Sequence, residues 1–320
     1  MTTTSKRRRT AYVGVGSTSA PPRRQVDPEL LAALAARLTG RDRWLLELLH
    51  EHRVLTTAHI RQLAFGHISA ATHRMLTLWR LRAVERFRPA VPAGSAPWHY
   101  VLGPAGAIIL AERRHLTAAQ FGYRLDQALA VAHSDKLPHL VGTNELFTAL
   151  TAHARSHPGA ALEVWWSEQR CHQAWGKIVR PDGYGRWRED DQRIDFFVEY
   201  DTGTEPLHRL LAKIADYQAL AEMTGLTHTP VLFALPNPAR EQHLHTRTTP
   251  TTPGGPSGPG GPGGAVVATT TPQALRTAGS PAGPAWHPLP TTPPTTGHPH
   301  QDRRRLINLT TPEGTTGGTG

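Results

Sequence analysis

A single cysteine, Cys171, stands in 320 residues. That excludes an intramolecular disulfide and a cysteine-rich zinc site. No apolar run approaches the roughly 20 residues a bilayer span requires. The basic start, Met1 to Thr10, is followed by no apolar segment of the kind a secretory signal carries. The expectation is a cytoplasmic protein with no membrane partner. A Gly-x-x-x-x-Gly-Lys loop is missing, which removes the usual phosphate cradle of an ATP-driven motor. Hydrophobic residues make up 38% of the chain against 28 Pro and 29 Gly, too few to pack all of it.

What the chain has in excess is positive charge, in one place. The net charge is +10, and residues 1–114 hold 18 Lys and Arg against 7 Asp and Glu, so the whole excess lies in the first third. A localised basic field is what a phosphate-binding surface requires. Residues 1–28 read as a disordered basic arm carrying Lys6-Arg7-Arg8-Arg9 and Arg23-Arg24.

Residues 29–114 read as a compact helical unit with a hairpin. Leu30, Leu31, Leu34 and Leu38 suggest a leading helix. Thr39 caps the next, with Trp44, Leu45, Leu48 and Leu49 at helical spacing, and Thr56 caps a short one burying Ile60 and Leu63. Gly66 makes a turn, and Ser69 is placed to cap a further helix to about Arg82, with Leu76, Trp79 and Leu81 inward. Strands at 84–88 and 98–102 follow, then a helix from Ala105 to Arg114. This is the winged helix-turn-helix order, in which the last helix before the hairpin enters the major groove of double-stranded DNA. Thr72, His73, Thr77 and Arg80 are then the outward residues, Arg74 and Arg82 are placed for phosphates, and Arg86 and Arg88 lie on the wing.

Residues 115–136 read as a helical linker. A second domain, 137–309, opens with a helix from about His139 to Ser156. Strands are expected at 162–166, 178–182 and 194–201, then a helix with Leu207, Leu210, Leu211, Ile214 and Ala221 on one face, then a strand at 230–235. Residues 237–264 break the pattern, and 246–264, nearly all Thr, Pro and Gly, read as a flexible insertion. Short elements at 265–269, 272–277 and 285–289 follow, Arg303 to Ile307 is placed to dock, and 310–320 read as a disordered tail.

Acidic residues gather at telling places in this domain. Side chains alternate along a strand, so Asp195, Phe197, Glu199 and Asp201 share one face, with Glu199 and Asp201 about 7 Å apart. If strands 178–182 and 194–201 pair across a polar 184–193 loop, Asp182 approaches Glu199. Converging carboxylates at a strand end suit a hard cation such as Mg²⁺. Arg209, Lys213 and Tyr217 stand at four-residue steps on one helix face, where a lysine can offset phosphate charge or orient water.

Arg180-Pro181-Asp182-Gly183, the run from Phe196 to Glu205, and Lys213 with Tyr217 resemble the replication-relaxation family of bacterial plasmid and mobile-element proteins. Trp98 to Gly106 resembles that family's wing and exit. The resemblance covers roughly residues 39–309, the insertion excepted. It implies an α+β multidomain fold: a winged helix-turn-helix followed by an α/β domain like the PD-(D/E)xK nucleases. In that pattern Asp182 and Glu199 are the two acids and metal ligands. Asp201 stands where a lysine is usual, Lys213 is a lysine shifted to the helix, and Glu145 is a further acid. The implied function is DNA binding at a replication or transfer origin. Two alternatives stay open: a Mg²⁺-dependent nicking endonuclease using Asp182, Glu199, Asp201 and Lys213, and a transcriptional regulator with an inactive nuclease-like domain. His243-Leu244-His245 resembles the histidine pair of rolling-circle relaxases, but its polar flanks argue against the apolar strand that pair occupies.

Overall fold

The computed structural model describes residues 25–91, 93–248, 265–289 and 303–310. The 1–24 arm, most of the expected insertion and nearly all of the expected tail lie outside the described residues. The chain is mixed α and β, and it divides between Leu137 and Pro138 into two compact units.

The first unit is built on capped helices. Asp27 accepts from the Leu30 amide ahead of α1 (Pro28–Arg37). Thr39 and Asp42 form a reciprocal capping box on α2 (Gly40–His52), and Thr56 and His59 form one on α3 (Thr57–Ala64). Between them runs β1 (Leu55–Thr56). Helix α4 (Ile68–Arg80) starts earlier than Ser69: His67 is its N-cap and makes no capping hydrogen bond. Its inward face also differs from expectation. Ala71, Met75 and Leu78 are buried, while Leu76 and Trp79 lie on a half-buried flank. Strands β2 (Val84–Phe87) and β3 (His99–Leu102) pair antiparallel, and β1 pairs with the outer side of β3. Helix α5 (Pro104–Arg113) follows, and α6 (Ala118–Phe121) and α7 (Leu125–Ala130) complete the unit. A Cβ on Gly106 would come 2.2 Å from the Ala83 carbonyl oxygen, so only glycine lets α5 approach the start of β2.

The second unit is a seven-stranded sheet between two helical layers. It opens with α8 (Leu137–Ser156) and β4 (Ala160–Ser167), then α9 (Glu168–Trp175), which the sequence pattern did not suggest. The expected strand at 178–182 is not formed. The strand is β5 (Gly183–Glu189), and it joins β6 (Gln192–Tyr200) through a two-residue turn in which Asp190 takes φ 51°. Helix α10 (Leu207–Thr224), β7 (Val231–Ala234), α11 (Pro238–Thr248), β8 (Val267–Thr270), α12 (Pro272–Ala278), β9 (Pro284–Pro288) and β10 (Arg304–Arg305) follow. Helix α11 lies where the chain was expected to break pattern.

The spatial order is β10-β9-β8-β7-β6-β5-β4. Strands β6, β7 and β8 are parallel and the remaining pairings antiparallel. One sheet face buries Phe147 and Leu150 of α8 with Phe196, Val198, Trp286 and Leu306. The other buries Leu210, Ile214 and Tyr217 of α10 and Leu244 of α11 against Phe197, Val231 and Phe233. No described helix is long and apolar enough to cross a membrane.

Candidate functional site

In the first unit the basic residues sort into two groups. Arg74 is held inside the unit: its guanidinium donates to Asp42 and to the Arg37 carbonyl. Arg82 lies 3.1 Å from the buried carboxylate of Glu85. Both were expected on phosphates, and both are engaged by protein groups. Thr72 and Thr77 donate their hydroxyls to the carbonyls one turn earlier, of Ile68 and His73. His73 and Arg80 stand exposed on α4. On the hairpin, Arg86 is sandwiched between the rings of Trp79 and Trp98, at 4.2 and 4.1 Å. Arg88 lies 4.1 Å over Trp98 and donates to Ser95. Stacking fixes these guanidinium planes without consuming their charge, because the aromatic face attracts a cation but carries no net charge.

In the second unit the two expected acids sit at one end of the β5–β6 ladder. The Asp182 amide donates to the Val198 carbonyl, which continues the register pairing Gly183 with Val198. Asp182 Oδ2 accepts from the Tyr200 amide at 2.8 Å, and Oδ1 lies 2.9 Å from His139 Nε2 on α8. Glu199, 3% exposed, points to the opposite helical layer. There Tyr217 donates to Oε1 at 2.6 Å and Lys213 to Oε2 at 2.8 Å. Lys213 also lies 3.6 Å from Glu205. Thus Glu199 and Lys213 pair directly, and Asp182 lies near enough for its charge to act on both. Asp201 does not join them: Gly203 donates to its Oδ1, and Arg240 of α11 pairs with its other oxygen. Glu145 is exposed on α8. His139 and Arg240 gave no signal in the sequence, since each meets its partner across about 40 residues of chain. Tyr217 was legible from its four-residue step after Lys213.

The pair's electrostatics follow from enclosure. Burial, reinforced by the neighbouring Asp182 charge, pushes Glu199 up to about 7 in spite of Lys213 and Tyr217. Burial alone would pull Lys213 down, but Glu199, Asp182 and Glu205 outweigh it and hold the ammonium above its usual value. Burial likewise works against the His139 cation, and Asp182 reverses it, leaving His139 raised.

A raised carboxyl binds its proton more tightly folded than unfolded. Its stabilising effect is complete below the usual 4.5 and is lost as pH rises to about 7. His139 acts in the same sense: its contribution is present below 6.5 and lost as pH rises through its raised value. Glu199→Gln should therefore flatten the pH dependence. Relative to wild type, its Tm should rise by several degrees between pH 5 and pH 8, the full shift corresponding to about 3 kcal/mol at most. Parallel melting curves across that range would show that Glu199 titrates normally.

The replication-relaxation family model matches residues 46–231. No curated protein and no solved structure matches the chain.

Proposed function

This chain belongs to the replication-relaxation family, and from that premise we propose that it is a DNA-binding protein acting in the replication or relaxation of plasmid or mobile-element DNA. The N-terminal unit is read as a winged helix-turn-helix that grips double-stranded DNA. The observation that carries this reading is the basic set made of the exposed His73 and Arg80 on α4 and the half-buried Arg86 and Arg88 on the β2–β3 hairpin. The helix is set to meet base edges, and the hairpin arginines, held flat on Trp79 and Trp98, meet phosphates. Footprinting of the full chain on plasmid DNA tests it. Protection at an origin supports the reading, and protection confined to a promoter would favour a transcriptional regulator.

The second unit is read as a PD-(D/E)xK-like domain, on the strength of Asp182, Glu199 and Lys213 converging beside a mixed sheet. The residues do not fit magnesium as they stand. Each carboxylate oxygen of Asp182 and Glu199 already faces a protein donor, and the Lys213 ammonium lies 2.8 Å from Glu199. Magnesium demands oxygens at roughly 2.0–2.1 Å and its own near-octahedral shell. Asp201, in the position of the usual lysine, is committed to Arg240. The expected result in a supercoiled-plasmid assay is no Mg²⁺-dependent nicking above that of Asp182→Ala and Glu199→Ala. Nicking by the wild type that both variants lose would establish the endonuclease instead.

A further inference from the structure

Helix α11 carries a second polar cluster, on β8 and β9 rather than at the β5–β6 end. Glu241 and His245 are four residues apart, hence on one helix face, and Leu244 beside them is buried. His287 reaches the same point from β9, its ring stacked on that of His245 at 4.1 Å between centroids. One donor atom of each residue lies within 4.8 Å of the other two, and among the described residues this is the group of metal-ligating side chains that converges so. His243, two residues before, points to solvent, so the histidine pair noted in the sequence is split between the two sides of the helix.

A cation already lies against this cluster. Arg303 places two guanidinium nitrogens on Glu241, at 3.2 and 2.6 Å, and donates to the Ala285 carbonyl at 2.9 Å. Thr269 bridges the cluster from β8: its hydroxyl donates to Glu241 at 2.7 Å and lies 2.8 Å from His245 Nε2. The buried carboxylate is thus neutralised by a side chain distant in sequence, next to β10 at the edge of the sheet.

We propose that Glu241, His245 and His287 bind one divalent transition-metal ion of the zinc class, in competition with the Arg303 guanidinium. One carboxylate and two imidazoles form a borderline donor set of the kind zinc takes, with a fourth position left to water. An all-oxygen cation such as magnesium or calcium is disfavoured by the two nitrogens. Tetrahedral bonds of about 2.0–2.1 Å require donor separations near 3.3 Å, so the three side chains must close up on the ion. Arg303 must withdraw, since a dication and a guanidinium cannot share one carboxylate at that range.

The test uses the full chain with Zn²⁺ measured by metal content after equilibrium dialysis, and Co²⁺ as a visible-absorption probe of tetrahedral coordination. The wild type should retain one equivalent of zinc that His287→Asn lacks. Arg303→Gln leaves all three ligands and removes the competitor, so it should bind at least tenfold more tightly and give the tetrahedral cobalt spectrum. Equal zinc retention by wild type and His287→Asn would assign the metal to other histidines, such as the stacked pair His153 and His157, and would overturn the proposal. So would an Arg303→Gln variant that is folded by circular dichroism yet binds no more tightly than wild type.

Discussion

Arg240→Ala is expected to lower the free energy of unfolding by about 3–5 kcal/mol, the range found when one partner of a buried ion pair is removed. Asp201 is 8% exposed at the end of β6. Its two oxygens are taken up by the Gly203 amide and the Arg240 guanidinium, and Arg240 also donates to the Glu205 carbonyl at 2.6 Å. Deleting the arginine leaves an enclosed carboxylate with one amide donor and leaves the loop before α10 without its clamp. The loss should appear as a lower urea midpoint and a Tm lower by roughly 6–20 °C for a unit of this size. Asp201→Asn combined with Arg240→Met should recover most of it, because removing both charges also removes the desolvation cost. A loss under 1 kcal/mol for the single variant would mean that the pair is solvated and that α11 does not dock on β6 as described.

That ion pair also explains why the acidic row was only partly legible in the sequence. Alternation along the strand puts Glu199 and Asp201 on one face, and in the structure Glu199 meets α10 and Asp201, just past β6, meets α11 in the same helical layer. Alternation cannot say which partner each will meet. Lys213 was found because it sits on a strongly periodic helix, one turn from Tyr217. Arg240 was hidden because α11 buries Glu241, Leu244 and Thr248, a mostly polar stripe without the apolar recurrence that announces a helix. Strand β5 was hidden for a related reason. Its Gly183 and Gly185 read as loop residues, yet a Cβ there would come 2.8 Å from the Phe147 ring and 2.4 Å from the Phe196 ring. The glycines let a strand pass beneath stacked aromatics, and Tyr184 between them and Trp187 after them are ordinary strand formers.

The first unit was more legible because its boundaries are written in local chemistry. Thr39 and Thr56 cap helices wherever the chain lies, and Gly103-Pro104 stops a strand by the same local rules. The inward face of α4 was less so. Two apolar stripes compete there, Leu76 with Trp79 and Ala71 with Met75 and Leu78. The second wins, because Ala71 permits close packing and Trp79 is drawn to the flank, where Arg86 stacks on it. A tertiary contact across the hairpin thus decided a helical phase that periodicity left balanced.

The same contact bears on function, since it orders the arginines proposed to meet DNA. The most direct measurement is the salt dependence of duplex binding by the full chain, wild type against Arg80→Gln/Arg86→Gln/Arg88→Gln, followed by fluorescence anisotropy. Each phosphate contact releases about 0.9 counterion, so losing those of Arg86 and Arg88 should flatten the slope of log affinity on log salt by about 1.8. At roughly 0.1 M salt that corresponds to about 10²-fold weaker binding, and the lost Arg80 base contact weakens it further. The melting temperature reports whether the wing stays folded in the variant. The expected result is this joint loss of slope and affinity with the fold retained. An unchanged slope and affinity in the folded triple variant would contradict it, and would take DNA recognition away from α4 and its hairpin.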